Sequence, residues 1–116
     1  MVFIRKAGPF FLKENMMLSR FRTYQLAVAF YRNAKTVPLP AHLKDQLVRA
    51  AASAVLNLSE GYGRISFNDQ RKFFRIAFGS IRECQAIVDI ETDAFTVDHR
   101  DLLDHLAASA YKLTRH

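Results

Sequence analysis

The sequence predicts an all-α fold, an up-and-down antiparallel four-helix bundle built from residues 19–116. Three observations carry this. Only three prolines and four glycines occur in 116 residues, in a chain rich in alanine and leucine, a balance that favours helix. Apolar residues recur at helical spacing in four separate stretches. No stretch alternates as a half-buried strand would.

The first helix is expected from Ser19, a plausible N-cap, to Lys35, with Phe21, Tyr24, Val28 and Tyr31 on one face. Val37-Pro38-Leu39-Pro40 ends it, because each proline disfavours helical geometry in the residue before it. The second begins near Pro40 or Ala41 and aligns Leu43, Leu47, Ala50, Ala54 and Leu58. Val48, Ala51 and Val55 widen its apolar face, and Gly61 and Gly63 offer the left-handed conformation that closes a helix. Ser66 caps the third, with Asp69 three residues on as a shortened capping box. That helix reaches Asp89 or beyond, and its apolar arc is too wide for a single partner helix. Thr92 to Val97 reads as a connection. The fourth helix then starts at Asp98 as cap and buries Leu102, Leu103, Leu106, Ala110 and Leu113. Short connections imply antiparallel neighbours. Residues 1–18 have no clean period and are expected outside the bundle as an extension, with disorder an open reading. Met16 and Met17 offer alternative translation starts to Met1.

The single cysteine, Cys84, precludes an internal disulfide. No apolar run approaches the roughly 20 residues that a membrane helix needs, and residues 1–12 lack the order of a signal peptide. The expectation is a cytoplasmic protein without membrane association. Net charge is +6 but uneven: residues 1–82 carry 14 Lys/Arg against 4 Asp/Glu, and residues 83–116 carry 3 against 7. The asymmetry suits an anionic partner, or a head-to-tail assembly pairing basic with acidic surfaces.

Two polar patterns stand out. Gln46, Arg49, Ser53, Asn57 and Glu60 form a seam along the second helix. An antiparallel third helix brings Ser80 and Glu83 alongside its early half, around Gln46 and Arg49, with Arg49–Glu83 the expected ion pair and helix register the expected role. A catalytic Glu60/Glu83 pair is the remote alternative, because the antiparallel path separates the two. Opposite the core of the third helix, Arg71, Arg75 and Arg82 fall within about 40° of one another, flanked by Lys72 and Arg64. Such a stripe contacts phosphates or is simply a solvated face. Phe73 and Phe74 are expected to face the core, leaving no exposed platform for stacking bases.

The remaining signals are weak. Gly61-Tyr62-Gly63 follows a helix rather than a strand and reads as a helix stop. Asp101 and His105 lie one turn apart but lack companion metal ligands. Cys84 belongs to the core face as an inert thiol. The sequence therefore predicts no catalytic residues, no cofactor and no metal.

Gln46-Leu47-Val48-Arg49-Ala50, Ser53, Asn57-Leu58-Ser59-Glu60-Gly61-Tyr62-Gly63-Arg64, Phe73, Ile76-Ala77-Phe78-Gly79-Ser80 and Glu83 together resemble a known family. These are the small proteins encoded by intervening sequences in bacterial 23S ribosomal RNA genes, sometimes labelled ribosomal proteins. The likeness covers roughly residues 20–113 and departs at Leu58-Ser59, where isoleucine and alanine are usual. It implies a four-helix bundle assembling as a ring-like homo-oligomer, typically a pentamer. It also implies kinship with the basic accessory proteins of diversity-generating retroelements, which associate with a reverse transcriptase and nucleic acid. The expected function is a non-catalytic oligomer binding RNA or other nucleic acid through Arg20, Arg22, Arg64, Arg71, Lys72, Arg75 and Arg82. The alternative is a scaffold engaging an acidic protein partner.

Overall fold

A computed structural model describes residues 21–115. Among them are four α-helices and no strand: α1 (Arg22–Ala34), α2 (Ala41–Tyr62), α3 (Phe67–Ile90) and α4 (Val97–Leu113), with a 3-10 turn at Thr92–Ala94. Ser19 and the 1–18 extension lie outside the described residues, and α1 starts after Phe21, whose extended backbone takes the cap position expected of Ser19.

Each helix packs on two neighbours, α1 on α2, α2 on α3, α3 on α4, and α4 back on α1. Individual contacts fix the direction. Phe21, at the start of α1, stacks on Tyr62 at the end of α2, with ring centroids 4.8 Å apart. Gly61, late in α2, lies against Phe74, early in α3. Phe78 meets Tyr111, late in α4, at 5.7 Å. The hydroxyls of Thr23 and Ser109 are hydrogen-bonded across the α1–α4 seam. The bundle is therefore up-and-down, as the short connections predict.

Phe30, Leu47, Leu58, Ile81, Leu103 and Leu106 fill the centre, each 2% exposed or less. The connections are anchored as well as short. Val37 is buried after α1, and Phe95 is buried between α3 and α4. Thr23 is the one buried polar residue among those described, and its bond to Ser109 satisfies it.

Three further helix ends differ from the sequence reading. Gly63 closes α2 at φ −83°, in the right-handed region, and Gly61 lies inside the helix. Glycine is used at Gly61 for close approach to Phe74, not for a left-handed turn. Ser66 caps α3 by accepting from the Asp69 N–H at 3.1 Å. The return arm of the capping box is not formed, since aspartate is one methylene shorter than glutamate. At α4 the cap is Thr96, not Asp98. Its hydroxyl accepts from the His99 N–H at 3.1 Å while His99 Nδ1 accepts from the Thr96 N–H at 3.3 Å. The hydroxyl two residues upstream completes this reciprocal pair, which leaves Asp98 in the first turn.

No described helix is long and apolar enough to cross a membrane.

Candidate nucleic-acid interface

The up-and-down path collects cations that are far apart in sequence. The start of α1, the α2–α3 turn and the end of α4 all lie at one end of the bundle. Arg22 opens α1, Arg64 follows α2, Arg71 and Lys72 lie in the early turns of α3, and Lys112 and Arg115 close α4. Arg20 falls outside the described residues. Lys112 and Arg115 were not legible as part of a basic surface in the sequence, because they belong to its net-acidic third. Only the antiparallel register brings them to this end.

The α2–α3 turn fixes several of these groups. Arg64 pairs with Glu60 one helical turn earlier, and its guanidinium lies 4.7 Å from the centre of the Phe73 ring. Lys72 approaches the same ring at 5.8 Å. Arg71 donates to Asn68 Oδ1 at 2.7 Å. Arg75 is exposed, without a hydrogen bond or ion pair to another described residue. Arg82 donates to Gln85 Oε1 at 2.8 Å and lines a groove of about 430 Å³ together with Asp89, Asp101 and Asp104. Arg100 shares this groove, so three carboxylates face two arginines there, and the basic character of α3 is concentrated in its first half.

Phe74 is buried as expected, and Phe73 is half-buried beneath Arg64 and Lys72. The expectation that no aromatic platform is exposed is corrected by Phe67. It opens α3, is 79% exposed, and has no ring partner among the described residues. Its neighbour Ile65 is fully exposed at 100%. From the sequence, only Phe73 and Phe74 are weighed as aromatics beside the stripe. The place of Phe67 at the first helical position, before α3 meets α2 and α4, is what leaves it outside.

The polar seam forms in part. Ser80 donates to Ser53 Oγ at 2.8 Å, joining α3 to α2, and Asn57 Nδ2 donates to Ser53 O at 2.9 Å and to Ser53 Oγ at 3.2 Å. Gln46, Arg49, Ser53, Ser80 and Glu83 line a shallow groove of about 200 Å³. The expected Arg49–Glu83 ion pair is absent, although both residues flank that groove. Both are exposed and project from the outer edges of their helices into water, where pairing gains little. Glu60 turns instead to Arg64 at the opposite end of the seam, away from Glu83.

Cys84 lies in the core, and burial, with a smaller contribution from the Glu83 charge, pushes its thiol up to about 12. The thiolate that nucleophilic or ligand chemistry requires is therefore scarce at neutral pH. His105 sets Nδ1 at 2.8 Å from the backbone oxygen of Asp101, a bond within α4. Among the described residues no three potential metal ligands gather.

The comparisons with known proteins add one finding. No curated protein and no solved structure matches the chain. A family model described as 23S rRNA-intervening sequence protein matches residues 20–115, which spans all four helices, the α2–α3 turn and the polar seam. On that match the chain belongs to the 23S rRNA-intervening sequence protein family.

Proposed function

We propose that this protein is a non-catalytic, oligomeric nucleic-acid-binding protein, with RNA the expected ligand, and that the basic end of the bundle is the contact surface. The observation that carries this is the charge of the segment from Arg64 to Arg75, which holds four Lys/Arg and one acidic residue, Asp69. The register then adds Arg22, Lys112 and Arg115 at the same end. Cations so gathered displace counterions from a phosphate backbone without reading sequence. Arg64 and Arg71 are already held by neighbours, which lowers the entropy cost of ordering them on a ligand.

Self-association is supported by apolar surface that the single chain leaves uncovered. Leu56 is 66% exposed beside a groove of about 400 Å³ between α1 and α2, lined by Val28, Tyr31, Ala52 and Val55. Ile76 and Ile90 are exposed on α3. Two unlike patches on different helices suit a head-to-tail contact between copies, which closes into a ring when the rotation between copies divides a full turn. The pentameric number comes from the family resemblance. A ring would multiply weak phosphate contacts by avidity.

The test is binding of purified protein to structured RNA across a salt series, with light scattering for mass. The expected result is affinity that falls steeply with salt and weakens on Arg71→Ala and Arg75→Ala. No binding at low salt overturns the reading. The competing scaffold reading draws on the α1–α2 groove. Partners that stay bound through nuclease treatment of an affinity isolate would favour it.

A further inference from the structure

We propose that Phe67 is a stacking platform for an unpaired base, with Arg64, Arg71 and Arg75 holding the phosphates of a single-stranded stretch around it. This rests on the reading of the basic end as a phosphate-binding surface, and adds what that surface prefers: unpaired over paired strands.

The case begins with what Phe67 does not do. Its ring is 79% exposed and meets no other aromatic ring among the described residues. It adds little to the core, in which Phe30, Phe74 and Phe95 are buried. An exposed phenylalanine on a turn gains free energy only when something covers its face.

The surroundings indicate what that is. At 100° per residue, Phe67, Arg71 and Arg75 lie along one side of α3, one turn or about 6 Å apart. Arg64 sits across the turn, held by Glu60 and by the Phe73 ring. Cations rising in single-turn steps from an open aromatic ring match the alternation of base and phosphate along an extended strand. Every base has a π-face, so one ring suffices for binding without sequence preference. In a duplex those faces are already stacked, and Phe67 has nothing to receive.

Two other occupants fit an exposed Ile65–Phe67 pair among cations, namely an anionic membrane surface and a second copy of the chain. One variant separates them. The chain contains no tryptophan, so Phe67→Trp places a single fluorophore at the site. The expected result is quenching by oligoadenylate or oligouridylate, and little change with a blunt RNA duplex. In parallel, Phe67→Ala is expected to weaken single-strand affinity about 5- to 150-fold, the range for losing one stacked base, while leaving duplex affinity unchanged. A blue shift on phosphatidylserine vesicles without single-strand quenching overturns the proposal in favour of a membrane. A blue shift that grows with protein concentration alone overturns it in favour of self-association. Single-strand binding that is salt-dependent yet indifferent to Phe67→Ala overturns the stacking site and spares the phosphate surface. Absence of binding to any nucleic acid overturns both.

Discussion

The backbone of Gly61 lies so close to the ring of Phe74 that a Cβ there would stand 2.7 Å from Cε1 and 2.9 Å from Cδ1. A third atom, the Phe73 Cβ, would be 3.1 Å away. At Gly79, one helix on, an added Cβ meets nothing within 4 Å. Alanine is favoured over glycine inside a helix by about 1 kcal/mol, so the two positions separate propensity from packing. Gly79→Ala is expected to stabilise by about 1 kcal/mol. Gly61→Ala is expected to destabilise by about 1 kcal/mol net, because overpacking of about 1–3 kcal/mol exceeds the propensity gain. Thermal melts of the two variants should move in opposite directions.

The Ser80–Ser53 bond joins the side chains of α3 and α2. Ser80→Ala should cost about 1 kcal/mol in chemical denaturation. Removing both hydroxyls should cost less than the sum of the single changes. Additive losses would show that the bond contributes nothing.

Cys84 supplies a pH dependence. Its folded thiol is held up at about 12 against an ordinary value of 9.0, so the unfolded chain releases this proton first. The stability linked to Cys84 is fully present below pH 9 and is lost as pH rises from about 9 toward 12, by at most about 1.4 kcal/mol per unit. Denaturation of wild type and Cys84→Ala at a series of alkaline pH values should show the wild type falling more steeply. Thiol reagents at neutral pH should label Cys84 only at the rate of unfolding.

For the phosphate surface, each of Arg71→Ala and Arg75→Ala should lower the slope of log affinity against log salt by about 0.7 on a single strand. Arg82→Ala should change it less, because Asp89, Asp101 and Asp104 already share its groove.

Leu56→Asp and Ile76→Asp target the uncovered apolar patches. Both side chains are exposed in the single chain, so monomer stability should change by less than about 0.5 kcal/mol. Mass in solution should fall. An unchanged mass would place the contact between copies elsewhere.

The sequence made the helices legible because each buries a broad apolar stripe and each connection is short. The start of α2 after Pro40 and the Ser66 cap were readable from local chemistry alone. The Thr96 cap was not, because Asp98 in the following turn and Asp101 beyond it masked a hydroxyl whose partner is a histidine rather than a glutamate. Gly61 misled in the same way: beside Gly63 it resembles a helix stop, and only the approach of Phe74 shows its use. The seam was legible as Ser80 and Glu83 returning alongside Gln46 and Arg49, but neither the Ser80–Ser53 bond nor the absence of the ion pair was, since spacing along a helix does not say which residues lean outward. The basic face was visible along α3. Its extension to Lys112 and Arg115 and the exposure of Phe67 required the register of the whole bundle.

Thr23 and Ser109 are bonded although 86 positions separate them. The two strands of backbone that enter and leave the bundle therefore run side by side. Joining the two ends of the chain through a linker, with new termini cut between the exposed Arg64 and Ile65, would preserve all four helix pairings. Such a circular permutant should fold to the same bundle while splitting the α2–α3 turn, dissociating the integrity of that turn from the integrity of the fold.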